Sequence, residues 1–359
     1  MAPLARDLIR LALAVAVTGL VLGGAYLAIR APGSGSAVVV DPPRAPVRAA
    51  ITARIGLGRS HVVLAGGGAG VFFVRRLKHG PPGTITRVDT EVAKLGTTRR
   101  LDVAPLGLGV GKDAVWVLGG NRTGNSTTLL EIDPTTLRVT KRMVFPMASS
   151  CATHAFASCN PAVVPGGVWV PLVDRIVHVT SDGSMRSVPL NGHVWAVTPA
   201  GRTLWALAET ALYRIDNAGV RQRISLRDAF GPGLHSNNVV ASKSAVWISS
   251  FPTERADLGI NRLTMVDPRS GASKVLRTLP YPGGGSLALL SGGLWVDRFD
   301  GQGELDRLDS RNGSITGPIV VIPGDVTWIV TRQNELWVTI YKASGHRREL
   351  ERITLIPTG

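Results

Sequence analysis

Cysteine is almost missing from this sequence: among 359 residues only Cys151 and Cys159 occur. That excludes a scaffold stapled by many disulfides, and also a zinc centre built on four thiolates. The two lie eight residues apart in SSCATHAFASCN, and a close pair in one loop of an oxidising compartment points to a disulfide. A metal site of Cys151, His154 and Cys159 is the rival, and it has no obvious fourth ligand. Acidic residues are scarce as well, 25 against 40 lysines and arginines, a formal net charge of +15. Such a balance suggests an anionic partner. The basic residues fall in short runs, Arg75-Arg76-Lys78, Arg99-Arg100, Lys141-Arg142 and Arg347-Arg348, scattered along the chain. With no aromatic interleaving and no nucleic-acid motif, a solvated exterior, phospholipid head groups or an anionic wall polymer fit better than nucleic acid. There is no zinc spacing, no nucleophile elbow and no phosphate loop. The Gly66-Gly67-Gly68-Ala69-Gly70 run has no helix after it and reads as a hairpin turn.

What the chain does have is one unit repeated. In Gly111 to Phe145, a small-residue turn leads into a short apolar run around Trp116, then a polar loop, LLEID, a turn at Asp133-Pro134, and LRVTKRMVF. Short β-branched runs bounded by Gly, Pro, Asn and Asp are strands. Aligned on the aromatic, the copies carry Phe72, Trp116, Trp169, Trp205, Trp247, Trp295 and Trp337, spaced by about 44 residues, the period of four-stranded propeller blades. These aromatics are expected to pack between blades. The last copy lacks a fourth strand, and ITARI near residues 47–55 resembles the outer strands of the other copies. The expected fold is therefore all-β, a seven-bladed propeller of four-stranded antiparallel blades over 47–359, its ring closed by an N-terminal strand in the last blade.

Residues 1–10 read as a short cytoplasmic N-terminus. From Leu11 to Ile29 no residue is charged, long enough to cross a bilayer as a single-pass anchor. A cleaved signal peptide is the alternative, with a shorter apolar region than this. Either places the remainder outside the cytoplasmic membrane. Residues 30–46, rich in Pro, Gly and Ser, read as a linker.

In an up-and-down blade of strands a to d, the d-to-a and b-to-c connections emerge on one face and the a-to-b and c-to-d turns on the other. The aspartates Asp89, Asp133, Asp216, Asp267 and Asp309 fall on c-to-d positions and are expected to form turns locally. The longer connections share the opposite face, where ligand-binding residues are expected: Arg122, Asn125, His154, His235, Glu254, Arg255, Arg298 and His346.

The segments GVGKDAVWVLGG…LLEIDPTTLRVTKRM, SAVWIS…LTMVDPRSGASKVLRTL and GGLWVDRF…LDRLDSRNGSITGPIVV resemble the YVTN and streptogramin-lyase-like (virginiamycin B lyase-like) seven-bladed propellers of bacteria. The resemblance covers about residues 47–359. For activity it implies a magnesium-assisted C–O lyase using a glutamate at the end of an aromatic strand and histidines on neighbouring blades. The nearest match here is Glu209 in TLWALAET, one residue later than the family spacing, and His193 and His235 are the histidines near strand a of blades 4 and 5. The residues themselves point first to a monomeric, membrane-anchored binding or scaffold module without a cofactor, its ligand a protein or an anionic envelope polymer. A lyase with Mg, and a sensor domain working with a separate signalling partner, are the alternatives.

Overall fold

A strand such as Val115–Gly120 (VWVLGG) is apolar almost throughout because neighbouring sheets cover both of its faces. An outer strand such as Lys94–Leu101 (KLGTTRRL) is exposed along nearly all its length and keeps one buried residue, Leu101. The same gradient runs from inner to outer strand around the computed structural model. It describes residues 47–76, 82–120, 125–149, 151, 159–209, 211–227, 234–252, 261–279, 286–298, 303–317 and 320–357.

The described strands form seven antiparallel sheets, each of four strands. Blade 1 takes Val62–Gly67, Gly70–Arg75, Gly83–Asp89 and Lys94–Leu101 as strands a to d. Blades 2 to 6 follow in chain order between Ala104 and Val321. Blade 7 takes its first three strands from Asp325–Arg332, Glu335–Lys342 and Arg347–Pro357, and its strand d from Val47–Gly58. The register runs from Val47 opposite Pro357 to Gly58 opposite Arg348, so the closing strand extends past residue 55. Strand a of every blade touches strand a of the next, and that of blade 7 touches that of blade 1. The circle of inner strands is closed.

All seven blade aromatics lie on strand b and are at most 5 % exposed. Each belongs to an apolar cluster shared with the following blade. Trp205 and Leu207 of blade 4 pack with Val246 and Ile248 of blade 5, and Trp247 of blade 5 packs with Leu294 and Val296 of blade 6. Trp337 of blade 7 packs with Leu64, Val71 and Phe73 of blade 1. The ring is thus sealed by the same contact that joins its other blades. Trp247 Nε1 donates to Ser310 O at 3.1 Å and Trp337 Nε1 to Glu335 Oε2 at 3.1 Å, so these indoles are buried with their polar edge satisfied.

The turn aspartates act locally. Asp133 Oδ1 accepts from the backbone N–H groups of Thr135 and Thr136 at 3.1 and 2.6 Å. Asp89, Asp182, Asp216, Asp267 and Asp309 likewise accept from the backbone N–H two residues on. These are Asx turns, which tie the c strand to the d strand in blades 1 to 6. The Gly66–Gly70 run is the a-to-b hairpin of blade 1, with Gly67 opposite Gly70. Gly107 is required by a close approach: a side chain there would press on the Cys159 carbonyl.

The expected N-terminus 1–10, anchor 11–29 and linker 30–46 lie outside the described residues. Within the described residues no helix is long and apolar enough to cross a membrane.

Candidate functional site

Ring closure gives the face of d-to-a and b-to-c connections a feature that the sequence disperses. The closing strand ends at Gly58 opposite Arg348, which brings Arg59 and His61 to the first strand of blade 1 beside the c strand of blade 7. Arg348 Nη2 lies 3.4 Å from His61 Nδ1, and Arg76 N donates to His61 O at 3.4 Å. Arg75 Nη2 donates to Leu57 O at 2.8 Å, fixing that side chain over the seam while its guanidinium lies 5.8 Å from the Phe73 ring centroid. Arg76 and Arg348, nearly the length of the domain apart in sequence, therefore meet at one histidine. Arg59, Arg76 and Arg347 are exposed.

Aromatic support comes from blade 7. Arg348 lies over the Tyr341 ring at 5.4 Å, and Tyr341 Oη is 2.6 Å from His346 Nδ1. His346 turns out of the strand with φ +48°, a left-handed conformation uncommon for a residue with a side chain, and stands exposed at the tip. Burial lowers the His61 pKa first, and the charges of Arg348 and Arg76 lower it further, so at neutral pH this imidazole is uncharged. Burial also lowers the Arg348 pKa. Of the acidic groups nearby, Glu349 pairs with Lys342 at 2.7 Å, and burial raises the Asp325 pKa. The seam is a positively charged, partly aromatic surface suited to holding anionic groups.

Of the other expected residues, Asn125, Arg298 and His235 fall in the described part of the same face. Asn125 is exposed in the b-to-c connection of blade 2. Arg298 ends strand b of blade 6 opposite Glu304, and His235 begins strand a of blade 5 opposite Phe251. The side chains of Arg298 and His235, and all of Arg122, His154, Glu254 and Arg255, lie outside the described residues. Glu209 and His193 do come together: Glu209 N donates to His193 O at 2.9 Å. Glu209 occupies a left-handed turn position with φ +41°, and its carboxylate leans on Gly192, where an added Cβ would lie 2.8 Å from it. His193 sits against Trp195, ring centroids 4.9 Å apart.

Cys151 and Cys159 are joined by a disulfide, with Cα atoms 5.8 Å apart, so both sulfurs are taken and the Cys–His–Cys metal alternative falls. Among the described residues no group of three or more His, Cys, Asp or Glu is placed to hold a metal ion.

Sequence reasoning missed Arg59, His61 and Tyr341. The signal was present in the closing strand: extending its register three residues past 55 would have set 58 to 61 beside 341 to 348.

No protein-family model and no curated protein sequence matches the chain. Among solved structures, it is similar to hydrazine synthase of Kuenenia stuttgartiensis, with TM-score 0.59 and 15 % identity over 90 % of this chain and 99 % of that one. It is also similar to the β-propeller domain of Myceliophteria thermophila Cps50 (Swd1), with TM-score 0.60 and 12 % identity over 86 % of this chain and 100 % of that one. The WD40 β-propeller domain of Doa1 gives TM-score 0.51 and 12 % identity over 87 % and 94 %. At these identities the likeness concerns architecture, and with the seven sheets it establishes that the chain is a seven-bladed β-propeller.

Proposed function

We propose that the chain is a non-catalytic binding module, held at the membrane by residues 11–29 and displayed on the extracytoplasmic side as a monomer. It would grip an anionic cell-envelope polymer, or an acidic protein surface, through the seam face. The observation that carries this reading is the meeting of Arg76 and Arg348 at a neutral His61, with Arg59 and Arg347 exposed next to them in the chain. Exposed arginines clustered without matching carboxylates attract polyanions, and their contribution is screened by salt. The net charge of +15 adds a long-range term of the same sign.

The test is retention of the full chain on immobilised polyglycerol phosphate against uncharged dextran. The parent should be held at low salt and released near physiological ionic strength or above, and an R59E/R76E/R347E variant should elute at least tenfold earlier in ligand titration. Equal retention of that variant overturns the reading.

A second reading belongs to the streptogramin-lyase-like resemblance, with Mg as cofactor, and one observation favours it: the backbone bond that sets Glu209 beside His193. Linearisation of a cyclic depsipeptide by the purified chain with Mg, abolished in E209A, would replace the binding module with a lyase.

A further inference from the structure

The residue facing each blade aromatic across the b–c ladder is often long and charged: Arg87 faces Phe72, Glu131 faces Trp116, Arg214 faces Trp205, Arg307 faces Trp295 and Arg352 faces Trp337. Most of these are committed within the fold. Glu131 pairs with Lys141 at 3.4 Å, Arg307 donates to Ser291 O at 3.4 Å, and Arg352 donates to Thr90 O at 2.8 Å. Arg87 and Arg214 differ, because among the described residues neither has a hydrogen bond or an ion pair, and of the two it is Arg214 that borders a cleft. It is half-buried and lines a cavity of about 440 Å³ between blades 4 and 5.

This cavity opens on the face of a-to-b and c-to-d turns, opposite the arginine seam. Its floor is Trp205, its walls include Pro199 and Pro268, and Lys243 and Arg269 reach it from two turns of blade 5. No carboxylate lines it. Asp267, the acid next to Arg269, is held by its own turn, accepting from Arg269 N at 2.7 Å and from Ser270 Oγ at 2.9 Å, and the Arg269 charge is the last of the influences that lower its pKa. The hydroxyls of Thr203 and Ser242 are likewise used inside their turns. Three like charges therefore converge on an open cleft with apolar walls, and their mutual repulsion falls when an anion enters. The volume lies within the range of small-molecule sites, about 300 to 1,000 Å³.

We propose that this cleft binds a phosphate group carried on a small organic body. The phosphate sits against Arg214, Lys243 and Arg269, with a guanidinium offering paired donors to its oxygens, and the carbon body lies on Trp205 and the two prolines. A soluble phosphate ester and a phospholipid head group present the same chemistry. The site stands independently of the seam, since the two lie on opposite faces of the ring.

The experiment is calorimetric titration of the full chain, held in zwitterionic nanodiscs, with glycerol 3-phosphate and with dihexanoyl phosphatidylglycerol below its micelle concentration; glycerol is the uncharged control. One or both phosphate probes should bind at a site that the R59E/R76E/R347E change of the seam leaves intact, with R214Q and K243Q each weakening it about tenfold at an unchanged thermal midpoint. Binding of glycerol phosphate alone assigns a soluble ester, and binding of the short-chain lipid alone assigns a head group. Absence of binding by both probes up to ~10 mM overturns the proposal. So does binding that K243Q leaves intact, since Lys243 lies on an exposed turn whose change leaves the fold alone.

Discussion

Single residues in this ring divide into those whose role is repeated and those whose role is set by one neighbour. The seven aromatics and the turn aspartates belong to the first kind, and the sequence displays them because repetition shows what each position must do. His61 and His178 belong to the second. His178 is 8 % exposed, stacked on Trp169 with centroids 4.4 Å apart, and burial followed by the charge of Arg186 lowers its pKa. Nothing in HVTSDG announces that stack, because the partner indole arrives through strand pairing. Both histidines hold fewer protons folded than unfolded, so their contribution to stability is present above the ordinary histidine pKa near 6.5 and is lost as pH falls below it. The thermal midpoint should therefore decline between about pH 7 and pH 5, and an H61Q/H178Q variant scanned over the same range should show a flatter decline. Asp325 and Glu351 carry raised pKa values and act in the opposite sense, between their raised folded values and the ordinary carboxylate range, so the histidine contribution is read from the difference between the parent and H61Q/H178Q curves.

Among the elements, the closing strand is the one whose loss has consequences beyond itself. It adds the edge that blade 7 lacks, and Arg54 on it lies 2.8 Å from Glu351, a fully buried carboxylate on the partner strand. Burial raises the Glu351 pKa, and Arg54, being half exposed, offsets that only in part. Removing the cation should be worse than removing the acid. R54A should cost about 1–3 kcal/mol in urea unfolding at pH 7, since it strands a buried charge, whereas E351Q should be near neutral or slightly stabilising. Equal losses for the two variants would show that the pair acts only through packing. The strand itself could be read from its likeness to other outer strands, but its end could not. Where it stops depends on pairing with Arg348, a residue 290 positions away, and the arginine seam was hidden for that reason.

At the scale of the whole molecule, one kind of interface recurs around the ring, and stability is shared among blades that each touch only two neighbours. A chain without residues 47–58 keeps the other blades but opens the ring at blade 7, leaving strand Arg347–Pro357 as an uncovered edge. Such a chain should lose its single cooperative unfolding transition and associate on size-exclusion chromatography, and a synthetic peptide of residues 47–58 added in trans should restore the monomer. A monomeric truncation with an unchanged melting curve would refute the closure account. The count of blades and their two faces were legible because both follow from a repeat and its phase. The cleft at Arg214 was not, since it depends on which arginines find partners inside the fold, and no spacing reports that.

The strand Val47–Gly58 leaves the ribosome long before the segment it must join, Arg347–Pro357. At roughly 5 to 20 residues per second, synthesis of the intervening stretch lasts about 15 to 60 seconds. Throughout that interval the nascent polypeptide carries a sticky ribbon with no mate, so its biogenesis calls for a holdase to shield the front end until the rear arrives.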